Sequence, residues 1–369
     1  MPIQVRTDDQ LGWAFLTGAL NEVKPDASFM KNLFFPQSRT VPTETIELSY
    51  LEGERKLAPF VEVNGEAIAV PGRTHRFANV MAPNIRIKRP MEAYEFLTRR
   101  RPGTAIFVGQ SEVSAGYSAA IAEDTEVLAS MISNRIEQMC AEMISTAAYT
   151  YTGSVAEGDR AIQASFSISF PRAAALDVTL TGLDLWADSG GSEGTNSDPR
   201  TTFSDAKFQL SKFGRQPTIC VMGRDAAQAF MVHTKVQTQL ENTRDIAFGR
   251  LTEETNFTDQ GALFLGSYMG IDCWEYSRTY EDQAETPAEQ YFLDPDTVVF
   301  GTPEAQRDNV LYYGAIPDHD AIEGGLLVTE RFSKSWVTKD PSVRVQLAHS
   351  RPLPCLRRPN TVYAAVVAG

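Results

Sequence analysis

Cysteine is scarce in this chain: Cys140, Cys220, Cys273 and Cys355 are the only four in 369 residues, widely spaced and with no C-x-x-C pair. That spacing excludes a zinc ribbon or a disulfide framework and points to a reducing compartment. Histidine is equally rare. His75, His233, His319 and His349 fall in unrelated segments and form no H-x-x-x-H pair. No G-x-x-x-x-G-K sequence is present to cradle a phosphate. No apolar run reaches the roughly eighteen residues a membrane span needs, so a soluble chain is expected. The apolar stretch Leu11 to Leu20 follows Asp8 and Asp9 rather than basic residues, and no small-residue cleavage site comes after it, so it does not read as a signal peptide. Basic charge is also in deficit: 34 Lys and Arg face 47 Asp and Glu, for a net charge of −13. Such a surface repels phosphate backbones, which argues against tight DNA binding by the surface as a whole. Repeats and low-complexity tracts are absent.

What is present is a core. At 43% hydrophobic, the chain can fill one large or two ordinary domains. Thr7 or Asp8 can cap a short helix presenting Leu11, Ala14, Phe15, Gly18 and Ala19 on one face. Between Pro25 and Pro36 lies Phe29-Met30-Lys31-Asn32-Leu33-Phe34-Phe35, more aromatic than a short terminus needs for itself, so it is expected to dock on something. An extended two-stranded region follows. Ile46, Leu48 and Tyr50 alternate with polar residues, as do Ile85 and Ile87, and about thirty residues between them carry the hairpin signal Asn64-Gly65 beside Phe60, Val61 and Val63. A projecting hairpin fits this pattern, and so does an ordinary meander.

From Ala119 to Tyr149 neither Gly nor Pro intervenes. Leu128, Met131, Ile132, Met139, Met143 and Ile144 recur at helical spacing, which predicts a long amphipathic helix. Ile162 to Phe170 alternates strictly as a strand, and Leu176, Val178 and Leu180 repeat the pattern. Ala187 to Arg200, rich in Gly, Ser and Asp, reads as a linker. Ser204 can cap a helix closing at Gly214. Further strands are expected at Ile219–Met222, Leu263–Leu265, Ile271–Tyr276, Tyr291–Leu293, Thr297–Phe300, Leu326–Thr329, Val343–Leu347 and Val362–Val367. The order implies an α+β protein with one domain inserted into another.

Chance matches to chemistry are few. Gly190-Gly191-Ser192-Glu193-Gly194 fits G-x-S-x-G but lacks the strand before and the helix after that make a nucleophile of the serine. Asp318-His319-Asp320 with Glu323 offers metal-ligand atom types without the rhythm of a calcium loop. Neither the residues nor their spacing calls for a cofactor, a metal or an enzyme. One charge feature stands out: Arg73, Arg76, Arg86, Lys88, Arg89, Arg99, Arg100 and Arg101 are met only by Glu92 and Glu95. A basic stretch on an acidic protein suits either contact with an acidic patch on another copy or a solvated strand face.

Three blocks in the C-terminal third resemble the lambda-type tailed-phage major capsid proteins: Phe292-Leu293-Asp294-Pro295-Asp296-Thr297-Val298-Val299-Phe300-Gly301, Tyr313-Gly314-Ala315-Ile316-Pro317-Asp318, and Lys334-Ser335-Trp336-Val337-Thr338-Lys339-Asp340-Pro341. Weaker similarity runs back through Phe34-Phe35 and the long helix, whereas Arg215 to Glu289 matches poorly. The resemblance implies the Hong Kong 97 type of capsid fold. An N-terminal arm would span 1–40, an extended loop 41–90, a peripheral domain with a long spine helix 91–200 and 326–369, and an inserted axial domain 201–325. It implies a non-enzymatic subunit of the virion, assembled in the host bacterial cytoplasm as hexamers and pentamers around double-stranded DNA. The implied partners are further copies of itself, a separate scaffold protein, a portal and a trimeric decoration protein, with no membrane contact. Phe60, Val61, Val63, Arg86, Lys88 and Arg89 are the expected intersubunit contacts. An encapsulin-like compartment is the alternative shell, and a hydrolase using Ser192 the remote one. Some relatives join subunits by a Lys–Asn isopeptide bond. Lys56 and Asn360 would be the pair here, but the lambda-type match argues against the linkage.

Overall fold

The computed structural model describes residues 13–22, 28–52, 74–92, 110–152, 165–187, 192–242, 249–257, 261–281, 288–323, 325, 328–339 and 342–369. Its backbone is organised around one helix, Gln110–Thr146, which at about 1.5 Å per residue extends about 55 Å. It stops where Ala147 takes a left-handed conformation, φ 54°. Leu128, Ala129, Ile132, Ile136, Met139, Met143 and Ile144 form its buried face. Met131, expected on that face, is instead exposed. It sits one residue from Ile132 and therefore about 100° further round the helix.

Helices α1 (Trp13–Glu22) and α2 (Phe29–Phe34) lie against this long helix, α3. The buried face of α1 is Leu16, Thr17 and Leu20, while Gly18 is exposed and Ala19 half-buried. The expected face was therefore off by about half a turn, and the proposed caps Thr7 and Asp8 lie outside the described residues. The aromatic segment docks inside its own chain: Phe29, Met30, Phe34 and Phe35 join the main core with Ile132, Ile136 and Met139.

A seven-stranded sheet has the spatial order Asp177–Thr179, Val362–Val366, Thr297–Gly301, Ile219–Met222, Ile271–Tyr276, Ala262–Tyr268, Gly249–Phe257. Both faces of its centre are covered, which explains why Ile219–Met222 and Thr297–Gly301 are buried throughout rather than alternating. Cys220, Met222, Val298 and Phe300 point into a cluster with Phe203, Leu210 and Phe230, residues of helices Pro199–Lys212 and Arg224–Val232. Val221, Val299 and Val362 face the core that holds α2 and α3. Gly301 is required there, because a Cβ on it would fall 2.5 Å from Phe34 Cε1.

The strand pairings correct part of the sequence reading. Thr45–Glu52 pairs antiparallel with Thr74–Met81, Thr45 opposite Met81 and Glu52 opposite Thr74. Ile85–Glu92 instead joins Val343–Ser350, which in turn pairs with Phe332–Val337. The two alternating segments are therefore not partners, since alternation shows that one face is buried and not which strand lies beside it. Residues 53–73, with Phe60, Val61, Val63 and the Asn64-Gly65 turn, lie outside the described residues.

The helix expected to be capped by Ser204 begins six residues earlier, capped by Asp198. Asp198 accepts from Arg200 N and Pro199 takes the first turn, a stronger start than serine alone. Gly214, φ 76°, follows its end as expected. Residues 192–198 of the expected linker are ordered: Gly194 N donates to Leu185 O, Asn196 N to Leu183 O, and Ser197 is buried. Val328 and Thr329 belong to no strand, and the strand starts at Phe332.

Candidate intersubunit surface

Strand Ile85–Glu92 splits its basic residues by alternation. Arg86 and Lys88 are exposed on one side, while Ile87, Arg89 and Met91 turn toward α3. Arg89 Nε reaches Asp124 Oδ1 at 3.1 Å, and Asp124 is nearly fully buried. One residue along α3, Thr125 Oγ1 accepts from Gln346 Nε2, so the sheet is fixed to the helix by polar bonds on two strands. Arg89 is thus engaged within its own chain. Arg76 lies in a described strand, but its side chain does not, and Arg73, Arg99, Arg100 and Arg101 lie outside the described residues.

Among the described residues Arg86 pairs with Asp318 at 3.8 Å, and it is half exposed. Asp318 is buried and is held more tightly by Lys334 Nζ at 2.7 Å, which also contacts Asp320 Oδ2 at 2.8 Å. Burial works against ionisation of Asp318. The hydrogen bond and charge of Lys334, the Asp320 N–H and Arg86 outweigh it and keep the carboxyl below its usual range. The suspected metal ligands Asp318 and Asp320 are therefore satisfied by an ammonium group. Among the described residues no three His, Cys, Asp or Glu side chains converge as a metal site. Beside them His349, opposite Arg86 in the strand register, bonds Asn84 through Nε2. Burial, then the repulsion of Arg86, Arg351 and Lys334, pushes its pKa down to about 4 despite Asp318.

Between this strand and α3 runs a groove of about 400 Å³ lined by Arg86, Ile87, Lys88, Arg89, Val127, Leu128 and Met131. Its floor is apolar and its rim basic. Val127 and Met131 are each 38% exposed, and among the described residues no strand pairs with the outer edge of Ile85–Glu92. Sequence patterning identified the basic rim but missed the floor. Helical spacing puts Met131 in the core, and Val127 offers no signal of its own.

No catalytic centre emerges from the remaining candidates. Ser192 is exposed, and the next helix starts only at Pro199. Ser197, which the sequence did not single out, lies 3.0 Å from His233 Nε2. His233 Nδ1 accepts from Lys235 N, which leaves the ring proton on Nε2, directed at the serine. A histidine in that tautomer cannot take the serine's proton. Glu193 instead accepts from Thr234 N at 2.7 Å and Thr234 Oγ1 at 2.9 Å. The group fastens residues 192–198 to the helix Thr234–Asn242. Asn360 is likewise in use, its Oδ1 accepting from Ala173 N at 2.8 Å, and Lys56 lies outside the described residues.

A long helix crossed by an N-terminal segment, with a three-stranded and a seven-stranded sheet packed on it, makes a mixed α+β architecture. The family model for phage major capsid protein E matches residues 12–367, and the chain belongs to that family. It is 25% identical over 367 residues to the major capsid protein of Escherichia phage lambda, covering 94% of this chain and 95% of the relative. To that of Escherichia phage N15 it is 24% identical over 371 residues, covering 95% and 97%. A prophage protein of E. coli CFT073 assigned as a capsid protein superposes with a TM-score of 0.68 at 16% identity, covering 97% of this chain and 99% of that one. At that identity the likeness shows a shared fold. The chain is thus a lambda-type phage head protein in kind, a structural protein.

Proposed function

We propose that the chain is the subunit of an icosahedral head, assembling as hexamers and pentamers around double-stranded DNA within the host cytoplasm. The observation carrying this reading is the family match across almost the whole chain. In this reading 1–40 is the arm, 41–90 the extended loop, 91–200 with 326–369 the peripheral domain with α3 as its spine, and 201–325 the axial domain. A separate scaffold protein, a portal and a trimeric decoration protein complete the assembly.

The hairpin base Thr45–Glu52 and Thr74–Met81 has no third strand among the described residues. An isolated two-stranded ribbon is marginal unless something covers it. Ile46 and Leu48 pack one face of the base on the subunit's own core, and another copy is the natural cover for the rest, with Phe60, Val61 and Val63 supplying apolar contacts. The basic rim Arg86 and Lys88 suits the acidic residues Glu52, Glu54, Glu62 and Glu66 of that loop. Arg89 supports the rim from within by its pair with Asp124. Many modest contacts then sum through symmetry.

The test is electron microscopy and sedimentation of the protein expressed with its neighbouring genes, beside a variant in which residues 53–73 are replaced by a short Gly/Ser turn. Closed shells from the parent and folded, soluble capsomers from the variant are expected. Normal stable shells from the variant would end the clasp reading, and no shells from the parent would end the capsid reading. Protein cargo in place of DNA would favour an encapsulin-like compartment.

A further inference from the structure

Besides the reciprocal bonds of Thr17 with Ser333, two attachments of the N-terminal segment to the body fall on a single turn of α3. At the end of α1, Arg331 Nη1 contacts Leu20 O at 3.4 Å while its Nη2 donates to Ser133 Oγ at 3.0 Å. Asn21 Nδ2 returns a bond to Arg331 O at 3.3 Å. At the start of α2, Met30 N donates to Glu137 Oε1 at 2.7 Å and Lys31 N to Glu137 Oε2 at 3.0 Å. Ser133 and Glu137 are four residues apart, one above the other on the same helix face.

The ends are matched in charge. The last carbonyls of a helix lack intrahelical acceptor use and the first N–H groups lack acceptors. A guanidinium serves the carbonyl end of α1, and a carboxylate serves the N–H end of α2. The residue positioned to cap α2 locally, Ser28, makes no capping bond, and its hydroxyl accepts from Asn32 instead. The cap is supplied by α3. Tyr276 adds a third donor to Glu137 at 2.9 Å. Arg331 and Glu137 are buried. Burial raises the Glu137 pKa against the pull of Lys31, Met30 and Tyr276, and burial also lowers that of Arg331. Two ionisable groups kept inside a core at that cost need a structural return, and each bonds the backbone of the N-terminal segment, Glu137 at Met30 and Lys31 and Arg331 at Leu20.

We propose that the Ser133–Glu137 turn of α3 is a docking station for the N-terminal arm, at which Glu137 and Arg331 are positioning residues that clamp α2 and α1 and fix the arm's course. Detachment of the arm is then a local event, distinct from unfolding of the body. This holds for the isolated subunit and does not depend on shell formation.

Hydrogen exchange of the full chain, read residue by residue, tests it. Glu137→Gln keeps the side chain's size but sets an amide N–H₂ against one of the backbone N–H groups. The amides of Met30 and Lys31 should exchange roughly tenfold faster or more, as expected when a charge-assisted bond is lost, while those of Met139 to Ile144 stay unchanged. Tyr276→Phe, which removes only the third donor, should leave Met30 and Lys31 protected. Unchanged exchange at Met30 and Lys31 in the Gln variant, or an equal loss across α3, would overturn the clamp. Should that variant fail to fold, Ser133→Ala decides. Faster exchange confined to α1 supports the docking station, and unchanged exchange there refutes it.

Discussion

Arg89 and Asp124 form an ion pair of 3.1 Å across the seam between the edge strand and α3, with the carboxylate almost wholly buried. The pair turns one basic residue of the strand inward while its neighbours Arg86 and Lys88 remain exposed. The seam is therefore sensitive to which partner is removed. Arg89→Met takes the guanidinium from a buried carboxylate and should destabilise the subunit by about 1–3 kcal/mol, more than Asp124→Asn does. Urea denaturation of both single variants and the double variant measures this. A double variant as stable as the parent would show that the pair orients the strand rather than stabilises it.

The His349 cluster makes acid stability predictable in sign. The folded pKa is about 4 against an ordinary value near 6.5, so the folded state favours neutral imidazole. That contribution is fully present above about pH 6.5 and is lost as pH falls toward 4, on the order of 3 kcal/mol for a fully buried ring. Asp318, held below its usual range, loses its contribution in the same direction at lower pH. Thermal melts from pH 7 to pH 4 should show falling stability, with a shallower slope for His349→Gln. Equal slopes would place the acid sensitivity elsewhere.

Gly301 and Phe34 define a contact with no spare room, 2.5 Å from a built Cβ to the ring. Gly301→Ala should cost about 1–3 kcal/mol by overpacking, and adding Phe34→Leu should restore part of it. If calorimetry finds the alanine variant at parental stability, α2 can shift away from the sheet.

Neighbouring residues of α3 should separate folding from assembly. Ile132 is fully buried, so Ile132→Ala should cost about 2–5 kcal/mol. Met131 is on the groove floor and 38% exposed. Met131→Lys should change stability by less than about 0.5 kcal/mol, yet block closed shells seen by electron microscopy. Normal shells from Met131→Lys would show that the groove is not a contact.

Mature shells boiled in detergent should run as monomers, because the Asn360 side-chain carbonyl is bonded to Ala173 N within the chain. A ladder of covalent oligomers on the gel would contradict this and direct attention to Lys56.

Local sequence determined the elements whose periodicity one buried face imposes. The long helix, Ile271–Tyr276, and the Gly214 stop are legible because side-chain spacing and glycine's freedom act within a few residues. The basic stretch and the C-terminal blocks that placed the chain in its family were also plain. Partner choice was not. Ile46 and Ile87 show the same alternation, yet one belongs to the hairpin and the other to the sheet completed by Val343–Ser350, because alternation carries no information about the strand opposite. Glu137 and Arg331 were invisible for the same reason: their partners, Met30, Lys31 and Leu20, lie more than a hundred residues away. A buried charge is tolerated only where distant backbone groups converge on it, and only the tertiary structure decides that convergence.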